Sequence, residues 1–442
     1  VSVFIRQLTG VRFVAAAWVL LYHLQGPLNN VGLLAIPVIP DVLNVGRLGV
    51  DLFFALSGFI LTHTYLNRLG QRARLRETLN FWWLRLARVY PVHLVMLVVA
   101  GAALFAQAKV TGDSLDRAWL NPLDFIRNLL LIQEWGPEPQ RGWNFVAWSL
   151  SMEWLAYLIF PILILVIWRC NKRLGLPMLI VLWFACITPL VGYGLSRTDS
   201  YYTDNWGSTI RILTEFTAGA ITYLIVRRLL PEGADDPDRR TLQGANALSW
   251  LLPLAVVAGA VLLANLAIAQ PPITLNTSGD AEPMPPYFHL LLVPFLIAWL
   301  GALALARGRV SRGLATKTLV LGGFISYSLY MTHLVVFGLW RAGMRAAGID
   351  SGVLYAAGIL ILVAAALVIA WLMWRFVEEP AREWMRGRAG ARRTPTEEAG
   401  EAIAERLDSG PEPVSLPAAP VSLREAPVSL REAPEAKPEP TP

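Results

Sequence analysis

His23, Glu153 and His333 are ionisable side chains set inside long apolar runs, where they could carry protons or line a polar cavity. Arg85 and Arg88 are spaced to grip an anion. The segment GVRFVAAAWVLLYHL (residues 10–24) holds Arg12 near one end and His23 near the other. Eleven residues separate them, which in an α-helix is three turns plus about 20° and about 16 Å of rise. The two side chains therefore share a face at opposite depths. Taken alone, Arg12 reads equally well as a charge snorkelling to the cytoplasmic surface, and His23 as an interfacial anchor.

Further runs supply convergence. In WSLSMEWLAYLIFP (148–161) Glu153 sits about two turns into a helix; a carboxylate there needs water or a partner, and an interhelical ion pair is the plainer alternative. In ISYSLYMTHLVV (325–336) Ser326, Tyr330 and His333 follow an i, i+4, i+7 spacing and share one helical face. His23, Glu153 and His333 are expected at similar depth on the extracytoplasmic side, around a polar cavity. At the other level, FWWLRLARVYPVHLV (81–95) places Arg85 and Arg88 one turn apart, a fork of planar donors suited to phosphates, or simply positive-inside decoration. GVDLFFALSGFILT (49–62) adds Asp51 and a Ser57-Gly58 pair that permits close helix packing. No G-x-S-x-G elbow surrounds Ser57, so nothing marks it as a nucleophile.

Such residues must be held by membrane helices. Of 442 residues 55% are hydrophobic and 16% charged, and the charges cluster between long apolar runs. A span of a roughly 30 Å hydrocarbon core takes about 17–25 residues, and about ten stretches qualify: 8–25, 48–66, 90–108, 145–168, 177–195, 209–230, 249–269, 287–306, 319–340 and 353–377. Val11–Leu24 is expected to be retained as a membrane helix, because no small-residue cleavage site follows it. The first span, shortened by Arg12, and the sixth, with Arg211 and Glu215, are the weakest. The fold class expected is an all-α polytopic bundle, and arginine placement orients it. Arg68, Arg72, Arg74, Arg76, Arg85 and Arg88 follow the second span. Arg169, Lys172 and Arg173 come next, then Arg227, Arg228, Arg239 and Arg240, then Arg307, Arg309, Arg312 and Lys317. The alternate loops are poor in net positive charge, so both termini are expected in the cytoplasm of a multi-pass plasma-membrane protein.

The net charge of +6 comes without a basic stripe or zinc spacing, which excludes a nucleic-acid binder. Cys170 and Cys186 have no CxxC neighbour, so neither a disulfide nor a metal site is expected. Residues 1–388 are expected as the transmembrane domain. Beyond them the chain turns to Pro, Glu, Ala and Ser, with PVSLREA at 420 and again at 427. A proline in each repeat argues against a coiled coil, and 389–442 reads as a disordered cytoplasmic tail.

Taken in order, these segments resemble the integral-membrane acyltransferase family 3, which includes membrane proteins that O-acetylate O-antigen and peptidoglycan. Arg12 and His23 resemble its Arg-x10-His signature, GVDLFFALSGF its FF-x-LSGF segment, and Arg85/Arg88 its RxxR before Tyr-Pro. WSLSMEWLAYLIFP, ISYSLYMTH and VEEPAREW are similar to its remaining motifs, so the resemblance covers about residues 6–384. Thr9 stands where many members carry an acid, and Trp154 where a second acid often follows the first.

The resemblance implies an O-acyltransferase with no permanently bound cofactor and no metal, using acyl-CoA, most simply acetyl-CoA, from the cytoplasm. Arg85, Arg88 and Arg12 would bind the donor, His23 would serve as general base, and Glu153, Tyr330 or His333 would orient groups or stabilise the oxyanion. The acceptor would be a hydroxyl on a cell-envelope glycan, a glycolipid or an exported glycoside. Some members carry a fused extracytoplasmic SGNH hydrolase-like domain; this sequence shows none, which leaves direct acceptor access or a separate SGNH-type partner. The competing reading is a transporter or flippase with a His/Glu proton relay, although no repeat relates the two halves of the chain. A scaffold recruiting a partner through the tail is a third.

Overall fold

A computed structural model describes residues 6–36, 38–111, 120–135, 142–196, 206–231, 236–267 and 287–388. The expected tail, its repeats and parts of the connecting loops lie outside these residues. Among the described residues the chain is helical and has no strand. In order the helices are α1 (Arg6–His23), α2 (Gln25–Asn30), α3 (Ile39–Asn44), α4 (Leu48–Leu69), α5 (Leu75–Thr111), α6 (Pro122–Leu129), α7 (Ala147–Arg173) and α8 (Leu176–Ser196). They continue as α9 (Gly207–Leu229), α10 (Arg239–Ala267), α11 (Val293–Leu305), α12 (Arg309–Leu314), α13 (Lys317–Ala346), α14 (Gly352–Met373) and α15 (Glu379–Arg388). In lipid no water can satisfy backbone groups, so apolar runs of this length close their hydrogen bonds along the helix.

Nine stretches among the described residues are long and apolar enough to cross a membrane. The first expected span is not one of them, because Arg6, Gln7 and Arg12 fall within the 18 residues of α1. It joins the bundle by packing along α13 and α4. Thr9 meets Gly323 near one end of the α1–α13 contact, and His23 meets His333 near the other, so the two helices run parallel. Ten alternating passes would give that sense to the first and ninth.

The largest departure from expectation is α5. It begins at Leu75, fifteen residues before the expected span, and continues through Pro91. Arg76, Arg85 and Arg88 therefore belong to a helix rather than a loop. Trp82 of α5 donates its indole N–H to the Tyr157 carbonyl of α7 at 2.9 Å, and Tyr327 of α13 donates to the Val89 carbonyl at 2.5 Å, which docks this extension onto the bundle.

At the centre, α4 is buried over most of its length, while α10 leaves most of its apolar surface facing outward. Glycine allows the closest approach. A Cβ on Gly58 would lie 1.9 Å from the Phe216 carbonyl oxygen of α9, and one on Gly219 of α9 would lie 2.0 Å from the Ala55 oxygen of α4. Between α14 and α15 the helix widens into a π-turn over Trp374–Glu378, which brings Glu378 into the interior.

Candidate active site

The helices enclose a cavity of about 720 Å³. Its wall follows α4 from Val50 to Arg68, a rise of about 27 Å at 1.5 Å per residue. That is close to the whole hydrocarbon thickness. Arg68 of α4, Glu77 and Asn80 of α5, and Arg382 and Arg386 of α15 lie toward one mouth. Arg85 and Arg88 come next along α5, and Arg12 enters from α1. The guanidinium carbon of Arg85 sits 5.9 Å from the centre of the Phe81 ring, an arrangement that steadies the side chain while leaving its charge directional.

Midway along stands Glu153 of α7. It accepts a hydrogen bond from Ser57 Oγ at 2.7 Å and another from the Tyr157 hydroxyl one turn further along its own helix. Arg12 lies within the electrostatic reach of Arg88, Glu378 and Glu153. Glu378, presented by the π-turn, accepts from Ser328 Oγ at 2.7 Å. Opposite charges thus interleave where the cavity crosses the apolar slab, which lowers the cost of burying each.

Beyond the far end of this cavity lies a second, of about 50 Å³, lined by Val19, Tyr22, His23, Arg47, Phe145 and Trp148 among others. Val50 and Tyr330 border both spaces. From this pocket His23 reaches His333, its Nδ1 3.2 Å from the latter's Nε2. His23 Nδ1 is also 2.9 Å from the Val19 carbonyl, and His333 Nδ1 is 2.7 Å from the Tyr330 carbonyl. Carbonyls only accept, so both Nδ1 atoms carry protons. His333 Nε2 is then an acceptor for the second branch from His23 Nδ1, and the basic lone pair of His23 is left on Nε2.

The three groups expected at one level divide between two spaces. His23 lines the small pocket with His333 packed against it, whereas Glu153 stands in the large cavity with the guanidiniums. Tyr330 links the two. Its hydroxyl accepts from Ser149 Oγ at 2.8 Å and donates to the Val146 carbonyl at 3.1 Å. Ser326, on the face predicted to carry Tyr330 and His333, instead donates within its own helix to Gly323 at 2.8 Å.

Sequence reasoning left several participants without a partner or a role. Asp51 and Arg211 are both almost fully buried and form a two-pronged ion pair, Nε to Oδ1 at 2.8 Å and Nη2 to Oδ2 at 2.9 Å. The Arg211 guanidinium also lies 5.1 Å from the centre of the Trp148 ring. Two opposite charges early in the second and sixth spans were the available signal, because helices entering from the same side bring such residues to one depth. Tyr157 could have been found as the i+4 neighbour of Glu153. Glu378 owes its position to the π-turn, which no periodicity announces.

Residues 5–375 match the profile of an acyltransferase domain, the acyltransferase-3 family. Among curated proteins, the chain is 28% identical over 401 residues to Acyltransferase MdmB of Streptomyces mycarofaciens, covering 84% of this chain and 90% of that one. It is 25% identical over 357 residues to the peptidoglycan O-acetyltransferase OatA of Listeria monocytogenes, covering 76% of this chain and 51% of that protein. A putative O-acetyltransferase of Staphylococcus aureus, SACOL0978, is 22% identical over 392 residues, with 86% and 58% covered. The chain thus spans most of the first relative and little more than half of the other two. No solved structure matches it significantly. A family profile over most of the chain, a helical bundle with nine stretches fit to cross a bilayer, and paired imidazoles beside a deep basic cavity lead to one conclusion: the chain belongs to the acyltransferase-3 family and is a multi-pass membrane acyltransferase.

Proposed function

We propose that the chain transfers an acyl group, most simply acetyl, from cytoplasmic acyl-CoA to a hydroxyl of a cell-envelope glycan, a glycolipid or an exported glycoside. One observation carries this reading: a cavity with a basic mouth crosses most of the membrane thickness and stops at Tyr330, with the Nε2 lone pair of His23 on the other side. Arg85 and Arg88 hold the donor's phosphates, and Arg12 and Glu153 flank the pantetheine arm. The basic mouth lies at the end where Arg68, Arg72, Arg74, Arg173, Arg228 and Arg307 collect, which supports a cytoplasmic placement of that end and of both termini.

At the wall, the acceptor oxygen attacks the thioester carbonyl carbon while its proton passes to His23 Nε2. The Tyr330 hydroxyl turns its hydrogen from the Val146 carbonyl toward the developing oxyanion. The carbon–sulfur bond then breaks, and the thiolate leaves down the large cavity, regaining a proton from the imidazolium as free CoA. His333 fixes the His23 tautomer. Glu153, held by Ser57 and Tyr157, keeps the neighbouring guanidiniums in place rather than orienting an imidazole. The acceptor comes from the opposite side, directly or by way of a separate SGNH-type partner.

The test is purified protein in vesicles with radiolabelled acetyl-CoA and an envelope lipid and glycan extract. Label moving to a glycan or lipid, and lost in His23→Ala, supports the reading. Ion-gradient-driven uptake without label transfer overturns it in favour of a transporter.

A further inference from the structure

Arg386 stands near the end of α15, only 6% exposed, and lines the large cavity. Its distance from Tyr330, measured toward the basic mouth, follows from two routes. Along α15, Glu378 meets Ser328 of α13, two residues short of Tyr330, and Arg386 is eight residues further on, which places it about 15 Å below Tyr330. Along α5, Val89 meets Tyr327 of α13, and Trp83, six residues nearer the mouth, donates its indole N–H to the Met385 carbonyl at 2.8 Å. This second route puts the neighbour of Arg386 about 14 Å below Tyr330. The two helices therefore agree on the level.

Resting on the donor proposed above, a thioester held against Tyr330 on the large-cavity side sends its arm toward the mouth. From the sulfur to the first phosphorus that arm is about thirteen bonds, roughly as many as in four residues of extended backbone, or about 15 Å. The phosphates thus arrive at the level of Arg386. The cavity continues about 12 Å further to Arg68, so they are still enclosed by helices, where an anion needs charged partners. A helical side chain leans toward the N-terminus of its own helix. Arg85 and Arg88 of α5, about 10 and 6 Å below Tyr330, lean toward the mouth, and Arg386 of the oppositely directed α15 leans back toward Tyr330, so the three close on one level. We infer that Arg386 is a donor-binding residue, gripping the pyrophosphate of CoA together with Arg85 and Arg88.

The test is binding, so that it does not depend on acyl transfer. CoA, 4′-phosphopantetheine and pantetheine compete against labelled CoA for purified wild type, Arg386→Ala and Arg386→Lys, and competition constants are unaffected by any unfolded fraction. A hydrogen bond to a charged group is worth roughly tenfold or more in affinity. Wild type is expected to bind 4′-phosphopantetheine at least about tenfold more tightly than pantetheine, and Arg386→Ala to lose at least about tenfold toward CoA and 4′-phosphopantetheine alike while binding pantetheine as before. Lysine keeps the charge without the planar fork and should recover part of the loss. An equal loss toward pantetheine makes Arg386 merely structural and overturns the inference, as does an unchanged affinity for CoA or a loss confined to CoA, which would put the residue at the 3′-phosphate. In each of these cases wild-type binding of CoA leaves the donor reading standing. A wild type that binds no CoA sinks the donor reading, and the role of Arg386 with it.

Discussion

Nδ1 of His23 faces Nε2 of His333 across 3.2 Å, joining the end of α1 to the middle of α13 through a contact 310 residues apart in the chain. With each Nδ1 proton directed at a carbonyl, the pair accommodates two neutral rings and leaves one outward lone pair, on His23 Nε2. Removing that lone pair should cost the contribution of a general base, about 10²–10⁴-fold in kcat. His23→Ala is expected to fall into this range while expressing and inserting normally. His333→Ala, which only frees the tautomer, should lose less, and His333→Gln should recover part of the loss through its amide oxygen. Single-turnover rates for the three variants check the order.

The same pairing gives acid sensitivity a direction. Protonating His333 Nε2 would set two N–H donors face to face and remove the acceptor that fixes His23. Protonating His23 Nε2 would remove the base itself. Either way transfer is lost as pH falls and is restored on raising it. A pH–rate profile in vesicles checks this, and in His333→Gln the acidic limb should keep only the single protonation of His23.

If Arg85 and Arg88 hold the donor phosphates as proposed, Arg85→Ala and Arg88→Ala should each raise the KM for the CoA donor about tenfold with little change in kcat, an effect of the order of a charge-assisted hydrogen bond. Lysine should rescue poorly, since it lacks the planar fork. Titration with labelled CoA separates this from a loss of folded protein.

Arg211 is buried against Asp51 and, at 4.0 Å, Glu215, so removing the guanidinium strands carboxylate charge in the interior. Arg211→Met is expected to destabilise the bundle by about 3–5 kcal/mol, Asp51→Ala by less because Glu215 remains beside the guanidinium, and the double variant to recover part of the loss. Thermal unfolding in detergent across the double-mutant cycle measures the coupling.

Gly58→Ala drives a methyl into the Phe216 carbonyl of α9, and Gly219→Ala does the same at Ala55. Each should cost about 1–3 kcal/mol by overpacking, and the helix separation it forces should also lower activity by misplacing Ser57 and hence Glu153. Combining the two should cost less than the sum, because once the helices part both clashes are relieved.

Much of the bundle could be read directly from apolar run lengths, since a membrane leaves the backbone few alternatives to a helix. The start of α5 could not, because LRETLNFWWLRLAR mixes charges with tryptophans and becomes helical by docking on α7 and α13. Helical arithmetic put Arg12 and His23 on one face, and the two do point into adjoining spaces. Depth alone misjudged Glu153, because counting residues along a helix cannot tell which side of a one-residue wall a side chain faces. Ion pairs such as Asp51 with Arg211 depend on which helices become neighbours, and a single sequence does not give that order.

The parallel pairing of α1 with α13 has a consequence for biosynthesis. His23 leaves the ribosome early and His333 more than three hundred residues later, so the base lacks its orienting partner while the intervening helices are being inserted. Half-made chains therefore hold His23 without the imidazole that faces it in the finished bundle.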